Sequence, residues 1–244
     1  YPPLENPSRG VIGIPRVLNM YENYPFWATF FRELGFRVVL SPKSSRKIYE
    51  LGMESIPSES ECYPAKLSHG HVQWLINEGV KTIFHPCVFY EHQEVPGAQN
   101  HFNCPIVVSY PENIKNNVEA VTDGSVRYLH PFLAFTNEKV ASDRLVQFCK
   151  EVWNIPEKET RHAAHLAWEE QRRAKADVRA AGAKALADME KNGGSGIVLA
   201  GRPYHVDPEI NHGIPELIAA YGLTVLTEDC LPIDFVPKRP VRVN

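Results

Sequence analysis

Residues 10–40 read GVIGIPRVLNMYENYPFWATFFRELGFRVVL, a pattern that predicts a strand, a helix and a second strand. The apolar run Gly10–Ile14 ends at a proline and has the form of a buried parallel strand. Apolar side chains then recur on one helical face between Pro25 and Leu34, and Gly35 ends the helix. Phe36–Leu40 is again rich in β-forming residues, and this rhythm predicts a parallel sheet.

The same rhythm continues along the chain and predicts an α/β fold of two Rossmann-like lobes with parallel sheets joined by long helices. The predicted lobes cover residues 1–135 and 194–244, with a helical connector at 136–193. We expect the second lobe to be truncated and the chain to be a fragment, since it ends at Asn244 soon after a proline-rich stretch. The further predicted helices are Ser45–Leu51, Pro64–Glu78, one that opens at Pro111, Asn137–Trp153, Thr160–Lys191 and Asn211–Tyr221, and the further strands are Val80–Phe84, Pro105–Ser109, Val126–Leu129, Ile197–Ala200 and Leu223–Leu226.

The composition is that of a soluble globular protein, with 43% hydrophobic and 23% charged residues. The longest apolar runs are too short to cross a bilayer, and the start of the chain does not resemble a secretory signal. Lysine and arginine are spread along a chain of net charge -3, which argues against nucleic acid as a partner. The five widely spaced cysteines indicate reduced thiols, so we expect a cytoplasmic protein.

Three common α/β motifs are missing from the sequence: the phosphate-binding G-x-x-x-x-G-K-[ST] loop, the dinucleotide-binding G-x-G-x-x-G turn and the G-x-S-x-G nucleophile elbow. Nucleotide binding by the first two routes and serine hydrolase chemistry by the third are therefore excluded.

Two cysteines are candidates for a site at the sheet edge. Cys62 precedes a predicted helix, whose positive end favours the thiolate needed for metal ligation or nucleophilic attack, although a free cysteine is often only a small buried hydrophobe. Cys87 follows the strand Val80–Phe84 at the carboxyl edge of the sheet, where α/β proteins bind ligands, and opens a long loop that runs to Asn103. The helix between the cysteines returns the chain to that strand, so we expect both thiols on one rim.

The other cysteines fit this geometry less well. A strand at Pro105–Ser109 would place Cys104 at the amino edge, about 15 Å from Cys87. An unusual loop path or an antiparallel strand would be needed to bring it close. We expect Cys149, in mid-helix, to be structural, and Cys230 to be a candidate across the cleft.

Four sequence blocks follow one another along the chain. They are CYPAKLSHGH at Cys62–His71, FHPCVFYE at Phe84–Glu91, NCPIV at Asn103–Val107, and GRPYH at Gly201–His205 followed by NHGIPE at Asn211–Glu216. Together they resemble the uncharacterised domain of CoA-substrate-specific enzyme activases. The resemblance runs from about Val11 to Pro232.

The resemblance implies a distant relative of the iron-sulfur subunits of 2-hydroxyacyl-CoA dehydratases. That domain accompanies the ATPase that activates 2-hydroxyglutaryl-CoA dehydratase, so the implied partners are an ATPase activase domain or a CoA-thioester dehydratase subunit. In the dehydratase relatives, cysteines of facing lobes hold a 4Fe-4S cluster, which implies ligand roles for Cys62 and Cys87. Cys104, Cys230 or a residue absent from this chain would complete the set. The chain alone is not expected to hydrolyse ATP.

Three functional hypotheses follow. The first is an electron-transfer module whose 4Fe-4S cluster is held by Cys62, Cys87 and Cys104 at the cleft between the lobes. The second is a cluster-free docking or acyl-CoA-binding domain of a larger activase-related protein. The third is a zinc site built from Cys62, Cys87 and a histidine, although His69 and His71 cannot both face one point of a helix and are better explained by packing. An oligomer is compatible with all three.

Overall fold

The computed structural model describes residues 1–93, 97–98 and 100–231. It is an α/β protein with parallel sheets, as the sequence predicts. Residues 232–244, which include the end of the predicted second lobe and the expected fragment end, lie outside the described residues. The helices are α1 Met20–Glu33, α2 Arg46–Gly52, α3 Tyr63–Asn77, α4 Pro105–Asn117, α5 Glu119–Thr122, α6 Glu138–Trp153, α7 Glu157–Lys191, α8 Pro208–Asn211 and α9 Ile214–Ala220. The strands are β1 Val11–Ile14, β2 Arg37–Leu40, β3 Thr82–Phe84, β4 Cys87–Tyr90, β5 Arg127–Leu129, β6 Phe132–Ala134, β7 Gly196–Leu199 and β8 Thr224–Thr227.

The strands divide the chain into two parts. The main sheet has the order β2-β1-β3-β5 with parallel pairing throughout, and we call this sheet and its helices the first lobe. The parallel pair β7-β8, with α8 and α9, forms the second lobe. Because parallel neighbours need a crossover connection, α1, α3 and α4 each carry the chain back across the first lobe.

A pair of matching His-Pro steps interrupts two neighbouring strands of the first lobe. Phe84 lies opposite Leu129 in the β3-β5 ladder, and Cys87 lies opposite Phe132 in the β4-β6 ladder. The residues between them are His-Pro on both strands, at 85–86 and at 130–131. Proline has no N–H to give to the ladder, so regular pairing stops at this step and resumes beyond it.

Helix α1 supplies an aromatic face to the core of the first lobe. Phe26, Trp27, Phe30 and Phe31 are all buried there. The helix begins at Met20, earlier than predicted, so that a proline lies inside it. Burial of four aromatic side chains outweighs the break that this proline makes in the helical hydrogen bonds.

The long helices are part of this core and are not a free connector. Leu145 of α6 and Ala163, Ala167 and Trp168 of α7 belong to the same hydrophobic cluster as the α1 aromatics. Further along α7, a Cβ atom placed on Gly182 would lie 1.9 Å from the carbonyl oxygen of Cys230. Helix α7 therefore packs into the first lobe with its first half and supports the second lobe with its second half.

The predicted strand at Pro105–Ser109 is wrong, because these residues form the first turns of α4. The buried positions of α4 are Val107, Tyr110, Pro111 and Ile114, and they recur at helical spacing. The apolar run Ile106–Val108 has the residue types of a strand, and the helical pattern becomes visible only when the following residues are included. The predicted strands at Val80–Phe84 and Val126–Leu129 are confirmed as β3 and β5, within a residue or two at their starts.

Candidate functional site

Cys62 is exposed and stands immediately before α3. Pro64 occupies the first turn, where a missing N–H costs no helical hydrogen bond. The residue before the cysteine, Glu61, accepts hydrogen bonds from Tyr110 Oη (2.6 Å) and Asn113 Nδ2 (2.7 Å) of α4. These bonds hold the loop that carries Cys62 against α4.

Cys104 stands immediately before α4, which corrects its predicted place at the amino edge of the sheet. Helix α4 carries the chain from β4 back to β5, so its N-terminus lies at the carboxyl edge, as that of α3 does. Asn103 fixes this end, since its backbone N–H donates to Phe89 O (2.9 Å). Its side-chain amide donates to Val88 O (3.1 Å) and to Glu91 Oε1 (2.7 Å). The two cysteines therefore occupy equivalent positions on packed neighbouring helices.

Tyr204 of the second lobe lies close to both of these cysteines. Burial and the nearby sulfurs of Cys104 and Cys62 raise the pKa of Tyr204, whereas Arg202 lowers it. Tyr204 and Cys104 also pack against the same hydrophobic cluster. Among the described residues, neither cysteine side chain caps its helix. We call Cys62 and Cys104 the thiol pair, because each immediately precedes one of two packed neighbouring helices.

Asp207 holds the second lobe beside the thiol pair. This carboxylate is fully buried and accepts hydrogen bonds from Tyr21 Oη and, at 3.4 Å, from the Ser44 N–H. Its other oxygen accepts from the Glu209 N–H (2.9 Å) at the start of α8. Glu209 in turn accepts from Tyr63 Oη (2.7 Å), one residue after Cys62. The buried Asp207 carboxylate at the boundary between the lobes therefore has several hydrogen-bond donors, as burial of a charge requires.

Cys87 is fully buried on β4 and faces α4. Burial, followed by Glu112, raises the pKa of its thiol to about 12. Ligand atoms of Cys87, Glu112 and His130 all lie within 4.8 Å of one another. Glu112 follows Cys104 by eight residues in α4, which is about 12 Å along a helix axis. Cys87 therefore lies beside Glu112 and His130, at the level of the middle of α4.

His69 and His71 are buried side chains with serine partners, which confirms that packing explains them. His71 Nδ1 and Nε2 form hydrogen bonds with Ser41 Oγ (2.8 Å) and Ser44 Oγ (2.9 Å). His69 Nδ1 lies 2.7 Å from Ser55 Oγ. Burial lowers the pKa of each histidine to about 4.

The last two cysteines belong to packed surroundings. Cys149 is fully buried in the core of the first lobe, which confirms its structural role, and burial raises its pKa to about 12. Cys230 is buried, its Sγ donates to Thr227 O (3.0 Å), and its carbonyl packs against Gly182. It lines a second-lobe cavity and is not among the groups that act on Tyr204.

That cavity has a volume of about 510 Å³ and opens at the carboxyl ends of β7 and β8. Val206, Ile210 and Ile214 form apolar walls, and Arg202 and His205 add polar groups. Its position is the one at which open α/β sheets bind ligands.

Three residues that lie near the thiol pair or beside Cys87 were not predicted from the sequence as site residues. Tyr204 lies in the GRPYH block, which is a signal that could have pointed to it. His130 repeats the His-Pro step that precedes Cys87, and the repeat places it one strand away. Glu112 lies in the helix predicted from Pro111, but its place beside Cys87 has no local signal, because the first turns of that helix are predicted as a strand.

The family model of the CoA enzyme activase uncharacterised domain matches residues 11–231, a range that includes the thiol pair, Cys87 and Tyr204. The chain belongs to this family. Comparison with curated proteins and with solved structures found no match for this CoA enzyme activase domain. Across the part of the domain that the structure describes, no helix combines the length and the apolar character needed to cross a membrane.

Proposed function

We propose that this CoA enzyme activase domain is an iron-sulfur electron-transfer module of a 2-hydroxyacyl-CoA dehydratase and activase system. The observation that carries the proposal is that Cys62 and Cys104 precede the neighbouring helices α3 and α4, and that both thiols lie near enough to Tyr204 to raise its pKa. These three residues come from three of the four sequence blocks that carry the family resemblance. Two sulfurs at helix N-termini suit an anionic cluster, because the positive helix ends stabilise negative charge.

The donor set fits a cluster in its chemistry and in its access. Proteins hold 4Fe-4S clusters through cysteine thiolates. Cys62 is exposed and Cys104 is half-buried, so a cluster can reach both sulfurs without opening the core. The thiol pair supplies two ligands of a cubane, and the proposal assigns the remaining ligands to groups outside the pair. Cys87 is the third predicted ligand, and it lies beside Glu112 and His130.

When bound, such a cluster supplies single electrons at low potential. Within this chain, the thiol pair would bind it, and Tyr204 would cover one side and limit contact with water. Tyr21 and Asp207 would keep the second lobe, and with it Tyr204, in register with the two sulfurs.

The proposed partners are an ATPase activase domain, which would deliver electrons, and a CoA-thioester dehydratase subunit, which would receive them. Family membership supports both. The five cysteines are all free in the fold, which supports a reducing compartment, and we propose the cytoplasm.

The test is anaerobic reconstitution of the full chain with iron and sulfide, followed by measurement of bound iron, acid-labile sulfide and visible absorption. We expect the wild type to acquire a brown cluster. Cys62→Ala and Cys104→Ala should each lose most of the bound iron, because one ligand of the thiol pair is removed. Cys149→Ala is the matched control, since it removes a thiol that is buried far from the lobe boundary in the core.

Two outcomes would reject the cluster. One is a wild-type chain that takes up no iron and sulfide under these conditions. The other is uptake that survives in both Cys62→Ala and Cys104→Ala.

A second candidate function is a cluster-free acyl-CoA-binding domain, which the second-lobe cavity favours. Its apolar walls suit an acyl chain, and Arg202 suits a phosphate of the coenzyme. Equilibrium binding of an acyl-CoA should then be weakened at least tenfold by Ile210→Asp and be unaffected by Cys62→Ala. Binding that Ile210→Asp leaves unchanged would exclude this cavity as the site.

A further inference from the structure

Three side chains of different chemistry converge at the His-Pro step of the first lobe. Cys87 opens β4, His130 lies between β5 and β6, and Glu112 projects from the middle of α4. Their sulfur, nitrogen and oxygen atoms all lie within 4.8 Å of one another. Three elements distant in sequence thus bring three good metal ligands to one point.

The contacts among these atoms suit a shared metal ion after a small adjustment. His130 Nδ1 lies 2.6 Å from Glu112 Oε1, yet this buried nitrogen has no hydrogen bond of normal geometry within the described residues. An imidazole nitrogen and a carboxylate oxygen that converge in this way can both bind a metal ion instead. In a tetrahedral zinc site with bonds of about 2.0 to 2.3 Å, ligand atoms stand about 3.3 to 3.8 Å apart. Opening the nitrogen-oxygen contact by about 1 Å would therefore seat an ion.

We infer that Cys87, Glu112 and His130 form a mononuclear site for a divalent transition metal of the zinc class. The site is separate from the thiol pair and does not depend on the proposed cluster. A thiolate, an imidazole and a carboxylate together select zinc or ferrous iron over magnesium or calcium, which prefer oxygen ligands alone. One thiolate and one carboxylate also balance the two positive charges of the ion.

The surroundings hold the ligands in place. The Tyr128 ring stacks on the His130 ring, with centroids 5.8 Å apart and planes at 23°. Its hydroxyl is fixed in turn by His85 Nδ1 at 2.8 Å. An outer layer of this kind orients a metal-binding histidine.

The site has a buried side and an open side. Cys87 is fully buried, whereas the Glu112 and His130 side chains are 34% and 21% exposed. An ion can enter from the side of these two residues. Three protein ligands leave the fourth position on that side to water or to a small molecule, as in zinc sites that bind a substrate.

The test is titration of the metal-free full chain with cobalt(II), which replaces zinc and gives a sulfur-to-metal charge-transfer band when a thiolate binds it. We expect the wild type to show this band with one cobalt per chain. Cys87→Ser should lose the band, and Glu112→Gln and His130→Gln should each weaken cobalt binding at least tenfold. The double variant Cys62→Ser/Cys104→Ser should keep the band, because it leaves the site intact.

Circular dichroism of every variant checks the fold. Should Cys87→Ser fail to fold, the partly exposed Glu112→Gln and His130→Gln variants decide the question by their cobalt affinities. A wild type without a sulfur band overturns the inference. A band that is lost only in Cys62→Ser/Cys104→Ser overturns it as well, and would place the metal at the thiol pair.

Discussion

The Tyr21 hydroxyl donates a hydrogen bond to the buried carboxylate of Asp207 and so joins the first helix of the first lobe to the second lobe. Tyr21→Phe removes this donor from a buried charge, and we expect a loss of about 2 kcal/mol in the free energy of unfolding. Urea unfolding measures it. Tyr24→Phe is the control, because the Tyr24 hydroxyl bonds to no described residue. Equal midpoints for the two variants would contradict this role for Tyr21.

Gln171 repairs the break that Pro25 makes in α1. Its Oε1 accepts from the Phe26 N–H (3.1 Å), and its Nε2 donates to Glu22 O (2.8 Å). Gln171→Leu keeps the size of the side chain but leaves both backbone groups without a partner, so we expect a loss of about 2 kcal/mol in denaturant unfolding. Gln147→Leu removes only a surface hydrogen bond and should cost less than about 0.5 kcal/mol. A Gln171→Leu chain as stable as the wild type would rule out this repair.

Gly70 lets α2 and α3 approach each other closely. A Cβ atom at this position would lie 1.8 Å from the carbonyl oxygen of Ile48. Gly70→Ala should therefore push the helices apart and cost about 3 kcal/mol, measured as a lower midpoint of thermal or urea unfolding. Gly194→Ala, where the nearest atom would be 3.4 Å away, is the control. If the two alanines have similar effects, the close approach is not required for stability.

Acid should destabilise the protein through His71. Burial, with a smaller contribution from Arg16 and opposed by Asp207, lowers the pKa of His71 to about 4. The unfolded chain binds a proton there below about pH 6.5, and the folded chain does not until about pH 4. Stability therefore rises with pH across this window, and about 3 kcal/mol is lost on going down through it.

Urea midpoints measured across that pH window test this expectation. His71→Gln cannot take up the proton and should show a flatter pH dependence than the wild type. His162→Gln changes an exposed residue and should leave the slope as it is. A slope that His71→Gln does not change would assign the acid sensitivity to other groups.

The cysteines should differ in their access to a thiol reagent. Cys62 is exposed and Cys104 is half-buried, whereas Cys87, Cys149 and Cys230 are buried. We expect the first two to react with a disulfide reagent in the native state and the other three only after unfolding. Absorbance of the released thiol counts them, and Cys62→Ser should remove one fast equivalent. Rapid reaction of all five in buffer would contradict the packing described above.

The first lobe could be predicted from the sequence because its signals are local. Between Gly10 and Leu40, the two strands are short apolar runs and the helix has apolar residues at helical spacing, and a glycine ends the helix. The strands β4 and β6 could not be predicted from local sequence patterns. Each has only three or four residues and follows a proline, so pairing between them, and not propensity, makes them strands.

The candidate site was harder to predict, because it depends on one helix. Pro105–Ser109 has the β-branched residues of a strand, and only Tyr110 and Ile114 show the helical period. A strand there would separate Cys104 from the carboxyl edge, whereas a helix places Cys104 at the start of α4, next to the helix that Cys62 precedes. The same helix takes Glu112 to Cys87. The expected place of Cys104 therefore changed when this one element changed.

Helix α7 connects the two lobes through direct packing contacts. Its first half is locked into the first lobe at Gln171, and the remaining residues to Lys191 extend about 30 Å further, mostly exposed on their outer side. At Gly182, this second half of α7 packs closely against the backbone of Cys230 in the second lobe. The second lobe is consequently anchored at two separate points, to α7 at Gly182 and to α1 through Tyr21 and Asp207, so it cannot turn about one anchor without disturbing the other.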